Sequence, residues 1–431
     1  MVDLNSTIIE SLKLAGPMRP CFNRQLLQSP RTSPMDSRLL WLAGGAFAIG
    51  TGSLIITGIL PNLAAGFGVS VDTAGLLLSL FAVAYATMLG SVDRKIVLAA
   101  ALAVFGLANL AAAFTTDFNW VMAARIVMAL AAGVYMPAAN AVAVSLVAPE
   151  RRGRALGLVN GGATVALILG VPFGTAVVAF GGWHLAFLLV AVVSALALVG
   201  LVLRLPSGLP RSVNSLQERL DVARRPDVLL ALATTVLWTT GAFTLYTYIA
   251  PFLGNHAGLT GSWLGAALVF SGIGSALGNQ FGGVASDRFG PERTLFFGLV
   301  TLAATLAAAS LAAIILPVGQ ALFVIPAILF FWGAAGWAGH PAQMSRLAAM
   351  APDAVVVALS LNASALYIGI AAGSALGQQT LRHVGSWPLG FVGAACELAA
   401  LGLLLIALRR RKPARRELEI VPIEVAAEPV R

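Results

Sequence analysis

The chain has 431 residues, 58% hydrophobic and only 10% charged, with a formal net charge of +9. Soluble domains carry about 25% charged residues, so this composition cannot coat a water-facing surface and excludes an ordinary soluble enzyme or binding module. The positive charge is scattered through short connections and not gathered on one aromatic-rich face, which argues against nucleic acid and fits the positive-inside bias of a polytopic membrane protein.

Residues 1–34 are polar, contain Pro17, Pro20, Pro30 and Pro34, and lack the apolar core of a signal peptide. They read as a disordered extension; a start at Met35 and a regulatory arm are the alternatives. Beyond them, about 20 apolar residues suffice for a helix to cross the hydrocarbon core. Twelve such runs follow: 39–60, 73–92, 96–114, 120–146, 155–178, 183–203, 228–253, 262–284, 294–316, 321–339, 357–381 and 389–408. Residues 204–227 carry Pro206, Pro210 and Pro226 and mixed charges, and read as a cytoplasmic linker with a short surface helix. Residues 412–431 read as a disordered cytoplasmic tail. The expected fold is all-α, with two six-helix halves at 35–203 and 228–411.

Arginine and lysine follow the even-numbered runs, among them Arg94, Lys95, Arg151, Arg152, Arg204, Arg288, Arg293, Arg346 and Arg409, whereas the other face has almost only Arg382. Both termini are therefore expected in the cytoplasm. Six runs, a linker and six more suggest two parallel repeats. A short charged sequence after the second run, Ser91-Val-Asp93-Arg94, returns after the eighth as Gly283-Val-Ala-Ser-Asp287-Arg288-Phe-Gly290. The first copy is shortened: Gly265 to Asp287 spans 22 residues, Gly75 to Asp93 only 18.

Polar residues inside the runs are candidates for a central cavity, because facing lipid is costly. Asn140, Asn160, Asn362 and His340 are favoured, with Asn279, Gln280, Gln343 and Tyr367 as further members. Each is equally able to bond a neighbouring helix. Arg125 lies in the fourth run and either snorkels outward or faces the cavity. Tyr246 is a cavity candidate, while Tyr248 and Pro251 near the outer surface suit an interfacial anchor and a ligand contact equally. Glu397 is the only acid well inside a run. Gly369, Gly373 and Gly377 form a close-packing face that is expected to slide against the second or eighth helix. The sequence holds no nucleophile–base pair, metal cluster or phosphate loop, so no enzyme, metal or cofactor is predicted.

The Asp287-Arg288 sequence resembles the signature between the second and third helices of each half of the major facilitator superfamily. Gly170-Val-Pro172-Phe-Gly174 resembles the fifth-helix signature of its exporters, and Gly50 to Pro61, with Ser53 and Thr57, resembles their first helix. The wider likeness is to drug and sugar exporters of the arabinose-efflux and chloramphenicol-resistance kind. Met128 and Ala129 replace the glutamine and glycine that follow the fourth-helix arginine in that family, and Ser53 stands where many relatives place an acid. The resemblance implies efflux of a small organic molecule (drug, sugar or nucleoside-like) with protons as coupling ion, from a monomer in the cell membrane of a bacterial inner-membrane type. It implies a coupling role for Arg125, gating roles for Asp93, Arg94, Gly170, Pro172, Gly174, Gly283, Asp287, Arg288 and Gly290, and a peripheral twelfth helix that leaves Glu397 without a coupling role. The alternative is a non-transporting sensor or decayed paralogue with a shortened second helix.

Overall fold

A computed structural model describes residues 37–86, 94–147, 152–206 and 216–410. The extension 1–34, the tail 412–431, Asp93 and the shortened cytoplasmic end of the second run lie outside the described residues. The described chain is helical, without strands. The first half comprises α1 (Ser37–Phe67), α2 (Val71–Ala74), α3 (Leu76–Ala86), α4 (Arg94–Phe114), α5 (Phe118–Ser145), α6 (Arg152–Val165), a π-helical turn (Ala166–Gly170) and α7 (Val171–Arg204). A short helix α8 (Leu216–Ala223) lies in the linker. The second half comprises α9 (Pro226–Tyr246), α10 (Ile249–Ala257), α11 (Gly261–Phe289), α12 (Pro291–Ile315), α13 (Val318–Met350), α14 (Val355–His383) and α15 (Leu389–Arg410).

Among the described residues eleven spans are long and apolar enough to cross a membrane, and the shorter apolar stretch Val71–Phe81, across α2 and α3, stands where the second run was expected. Pro172 has no N–H to return to the preceding turn, and the π-turn just before it widens the helix there. Gly181 and Gly182 leave helical geometry, Gly182 with φ +72°, so α7 turns back as two crossings. Only glycine takes such a dihedral without strain.

Three expectations change in detail. The run 228–253 breaks between Tyr246 and Ile249, because Pro251 offers no N–H to the Thr247 carbonyl. The run ended at Gly339 instead continues through Pro341 to Met350, 33 residues and about 50 Å long. That exceeds the roughly 30 Å hydrocarbon core, so α13 projects into water. The charged Asp287-Arg288 pair sits on the last exposed turn of α11, not in a loop: Gly290, at φ +89°, is the whole junction to α12.

Glycine stripes set the close crossings. A Cβ on Gly274, Gly278 or Gly282 of α11 would strike the carbonyls of Phe330, Ala334 and Ala338 on α13. Gly369, Gly373 and Gly377 of α14 lie against Thr239, Thr240 and Thr244 of α9. The glycine face expected against the second or eighth helix thus meets α9, within the second half. Between α1 and the fifth crossing, Gly162 meets the Ala43 carbonyl, Gly170 meets Thr51 and Gly174 meets Ile55. Close backbone approach through small residues is the main packing device where lipid is as apolar as the side chains.

Candidate functional site

The interior reverses the soluble pattern: the two largest fully buried side chains are Arg125 and Arg346. Arg125 does not snorkel. Its Nη1 donates to the Gly52 carbonyl at 2.6 Å, Nη2 to Ser53 at 3.2 Å and Nε to Leu77 at 3.2 Å. Its Cζ stands 4.1 Å from the centre of the Phe81 ring, a favourable cation–π geometry. Tyr367 of the second half lies within electrostatic reach of the guanidinium, and its ring centre is 6.4 Å from that of Phe81. One arginine thus ties α1, α3 and α5 together and reaches the interface between the halves.

At the end of the bundle where α3 begins, the halves meet. The Tyr248 hydroxyl donates to the Ser374 carbonyl at 3.1 Å, and the Ser374 hydroxyl donates to the Gly75 carbonyl at 3.2 Å. Tyr248 is fully buried, which rules out the membrane-interface anchor, one of the two roles its position suggested. Tyr246 stacks on Trp332, ring centres 5.0 Å apart, and faces Thr57 of the first half, whose hydroxyl donates to the Leu54 carbonyl of its own helix. Ser53, also buried, turns its hydroxyl back onto the Ile49 carbonyl of its own helix.

Toward the other end the polar residues divide. Asn140 and Asn160 are half-buried and bonded to each other across α5 and α6 at 3.2 Å. His340 is half-buried beside Trp337. Asn362 is enclosed instead: it accepts from Thr235 at 2.7 Å, while the Gln343 amide donates to Thr235 at 2.9 Å and to the Ala231 carbonyl at 2.6 Å. Arg346 extends the same network, its Nη1 donating to Gln343 at 3.4 Å. That network joins α9, α13 and α14. Asn362 is buried within it.

The remaining candidates are structural in their contacts. Arg94 donates to the Ala141 carbonyl at 3.4 Å, within the first half. Gly170, Pro172 and Gly174 shape the π-turn and its contact with α1. The π-turn and α7 also pack on α11, whereas α6 packs on α5 and the π-turn. Asp287 and Arg288 are exposed, Arg288 resting on the Phe289 ring, and among the described residues Asp287 has no ion-pair partner. Gly283 stands open on the same turn. A groove of about 760 Å³ lies among α11, α12 and α13, walled by Phe281, Phe297 and Phe331. Those rings are strongly exposed, so the groove faces outward, away from the interface of the halves.

Sequence reasoning did not find Phe81, Trp332, Ser374 or the three carbonyls that hold Arg125. Backbone acceptors carry no side-chain signature. Phe81 and Trp332 look like ordinary members of apolar runs. Tyr246 and Trp332 form a buried aromatic stack, and the half-buried Asn140, Asn160 and His340 supply amide and imidazole groups nearer the other end.

The sequence profile of the Major Facilitator Superfamily matches residues 42–274 and 243–424 of this chain. The chain is similar to the Uncharacterized MFS-type transporter YbcL of Bacillus subtilis, 31% identical over 385 residues, covering 88% of this chain and 97% of that one. It is also similar to the Inner membrane transport protein YdhP of Escherichia coli K12, 34% identical over 386 residues, covering 87% and 96%. Among solved structures, a bacterial homologue of the human lysosomal transporter Spinster, inward-facing and occupied, superposes with a TM-score of 0.64 at 17% identity. That match covers 86% of this chain and 96% of that one; at such identity the likeness is one of fold.

Proposed function

Because this chain belongs to the major facilitator superfamily and is a multi-pass membrane transporter, we propose that it exports a small organic molecule by alternating access, driven by proton antiport. The observation that supports this reading is a bonded contact between the halves at one end of the bundle. The halves are bonded at the end bearing Gly75, Tyr248 and Ser374, while the exposed Asp287 and Arg288 of the opposite end engage no latch among the described residues. Two six-helix bodies, 35–203 and 228–411, rock about this contact, with residues 204–227 as their linker. Both termini lie in the cytoplasm, so the closed end is the outer one. The protein works as a monomer.

The substrate class is a neutral or weakly charged amphipath, drug-, sugar- or nucleoside-like. Tyr246 and Trp332 would stack on its ring, and the Asn140–Asn160 pair and His340 would bond its polar edge. Arg125 is the coupling candidate: it is a fully buried charge within reach of Tyr367 of the other half, and its partners come from two neighbouring helices of its own half.

Efflux from proteoliposomes carrying an imposed pH gradient tests the reading. A panel of neutral amphipathic drugs, sugars and nucleosides should include a substrate whose movement depends on the gradient and falls in Arg125→Ala. Gradient-independent binding with no transport across the panel would favour the sensor or decayed-paralogue reading and sink this one.

A further inference from the structure

Among the described residues Glu397 is the only fully buried acid. It sits on α15, which packs against α9 and α12. At this crossing α9 and α15 touch through Gly241 and Gly393; a Cβ on Gly241 would stand 2.6 Å from both the Glu397 Oε1 and the Gly393 carbonyl. Both carboxyl oxygens are enclosed without a hydrogen-bond partner of good geometry. The Ala242 amide faces them, but it belongs to the backbone ladder of α9.

The surrounding helices bring no cation to this level. On α9 the ionisable groups are Asp227 at its start and Tyr246 at its end. On α12 they are Glu292 and Arg293, both in the first turn. On α14, Tyr367 turns to Arg125, and Arg382 and His383 lie in the last turn. On α15 itself, Cys396 is the sequence neighbour and Arg409 and Arg410 lie in the last turn. An ionised carboxylate at Glu397 would be an uncompensated charge in the bundle. Neutrality requires a bound proton, and loss of that proton requires water or a cation to enter between α9 and α15.

We propose that Glu397 is a proton-binding site that controls the closed end of the transporter through α9; the proposal rests on the transport reading above. With its O–H bond formed, the carboxyl is neutral and α9 packs on α15 at Gly241 and Gly393. When that bond breaks, the proton passes to water, the carboxylate hydrates and α9 shifts from α15. Helix α9 carries Tyr246, which faces Thr57 of the first half, and leads directly into Tyr248, bonded to Ser374. Displacing α9 therefore loosens both contacts of the closed end. A peripheral helix with no coupling role, as the family resemblance implied, would have no reason to hold an unpartnered acid against the gate-bearing helix.

The test needs no substrate, so it stands apart from the efflux assay. Purified protein in lipid nanodiscs is titrated while infrared difference spectra record the C=O stretch of a protonated carboxylic acid. In parallel, spin labels at Thr116 and Val384, exposed on the two halves at the closed end, report its opening after Cys21 and Cys396 are replaced by serine. The parent should lose one carboxylic-acid band and lengthen its label distance as pH rises. Glu397→Gln should lack the band and keep the short distance at every pH. Glu397→Met, which needs no hydrogen bond, should do the same if the amide disturbs packing. A band that persists in Glu397→Gln, or a label distance whose pH response is the same in parent and variants or absent from the parent, overturns the proposal. Absence of efflux with both signals intact would instead count against the transport reading.

Discussion

Tyr248 and Ser374, 126 residues apart in sequence, are joined by a 3.1 Å hydrogen bond from the tyrosine hydroxyl to the serine carbonyl. The Ser374 hydroxyl passes the connection on to the Gly75 carbonyl in the other half. Gly75 has no side chain, and a Cβ there would strike the Tyr248 hydroxyl. The closed end therefore depends on a glycine facing a buried phenol.

Gly75→Leu should wedge the halves apart at this end. A cysteine placed at Ser374, buried in the parent, should then react with a membrane-impermeant maleimide at least tenfold faster than in the Gly75 background. Equal rates would show that the contact does not close the molecule.

Arg125→Lys retains the charge but loses the planar fork that serves Gly52, Ser53 and Leu77 together. Hydrogen bonds to charged groups contribute roughly 1.5–3 kcal/mol each. A loss of about 2 kcal/mol or more is expected, read as a lowered melting temperature in detergent. Transport should fall in Arg125→Lys nearly as far as in Arg125→Ala. Full transport in the lysine variant would mean that charge alone matters at this position.

Thr235→Val removes the hydroxyl that accepts from Gln343 and donates to Asn362 with little change in volume. Hydrogen bonds between membrane helices average about 0.6 kcal/mol and reach about 1.7. Here two are lost at once inside an enclosed network, so the upper part of that range is expected. Thermal unfolding of the purified variant measures it, and a stability equal to the parent's would show the network to be redundant.

Arg225, just ahead of α9, grips Asp353, between α13 and α14, with both guanidinium nitrogens, at 2.8 and 2.5 Å. These bonds hold the Asp353 carboxyl below its ordinary 3.8, at about 2. The depressed value means the pair stabilises the folded protein fully above about pH 3.8 and loses that contribution as pH falls through about 2. The difference in melting temperature between the parent and Asp353→Asn should stay constant from neutral pH down to about 4, then shrink. Both groups are solvent-exposed, so the difference should also shrink in high salt. A difference that changes between pH 5 and 8 would assign it to another group.

The sequence alone determined the membrane class, the crossings and the family. Each is a property of composition or local spacing: a run of about 20 apolar residues has to be a spanning helix because no other backbone satisfies itself in lipid. The motif Gly283 to Gly290 and the Gly170-Val-Pro172 sequence were legible for the same reason, being contiguous. Only the tertiary structure decided which face of each helix looks inward. Arg125 is held by backbone carbonyls that no residue type announces, and Asn362 closes on Thr235. Tyr248 is buried because Gly75 and Ser374 come to meet it from two other helices. Helical periodicity in these spans is nearly uninformative, since lipid and protein interior are about equally apolar. Which polar groups become partners depends on how the helices cross, and that is settled by glycine contacts such as Gly241 on Gly393, the crossing at which Glu397 is enclosed.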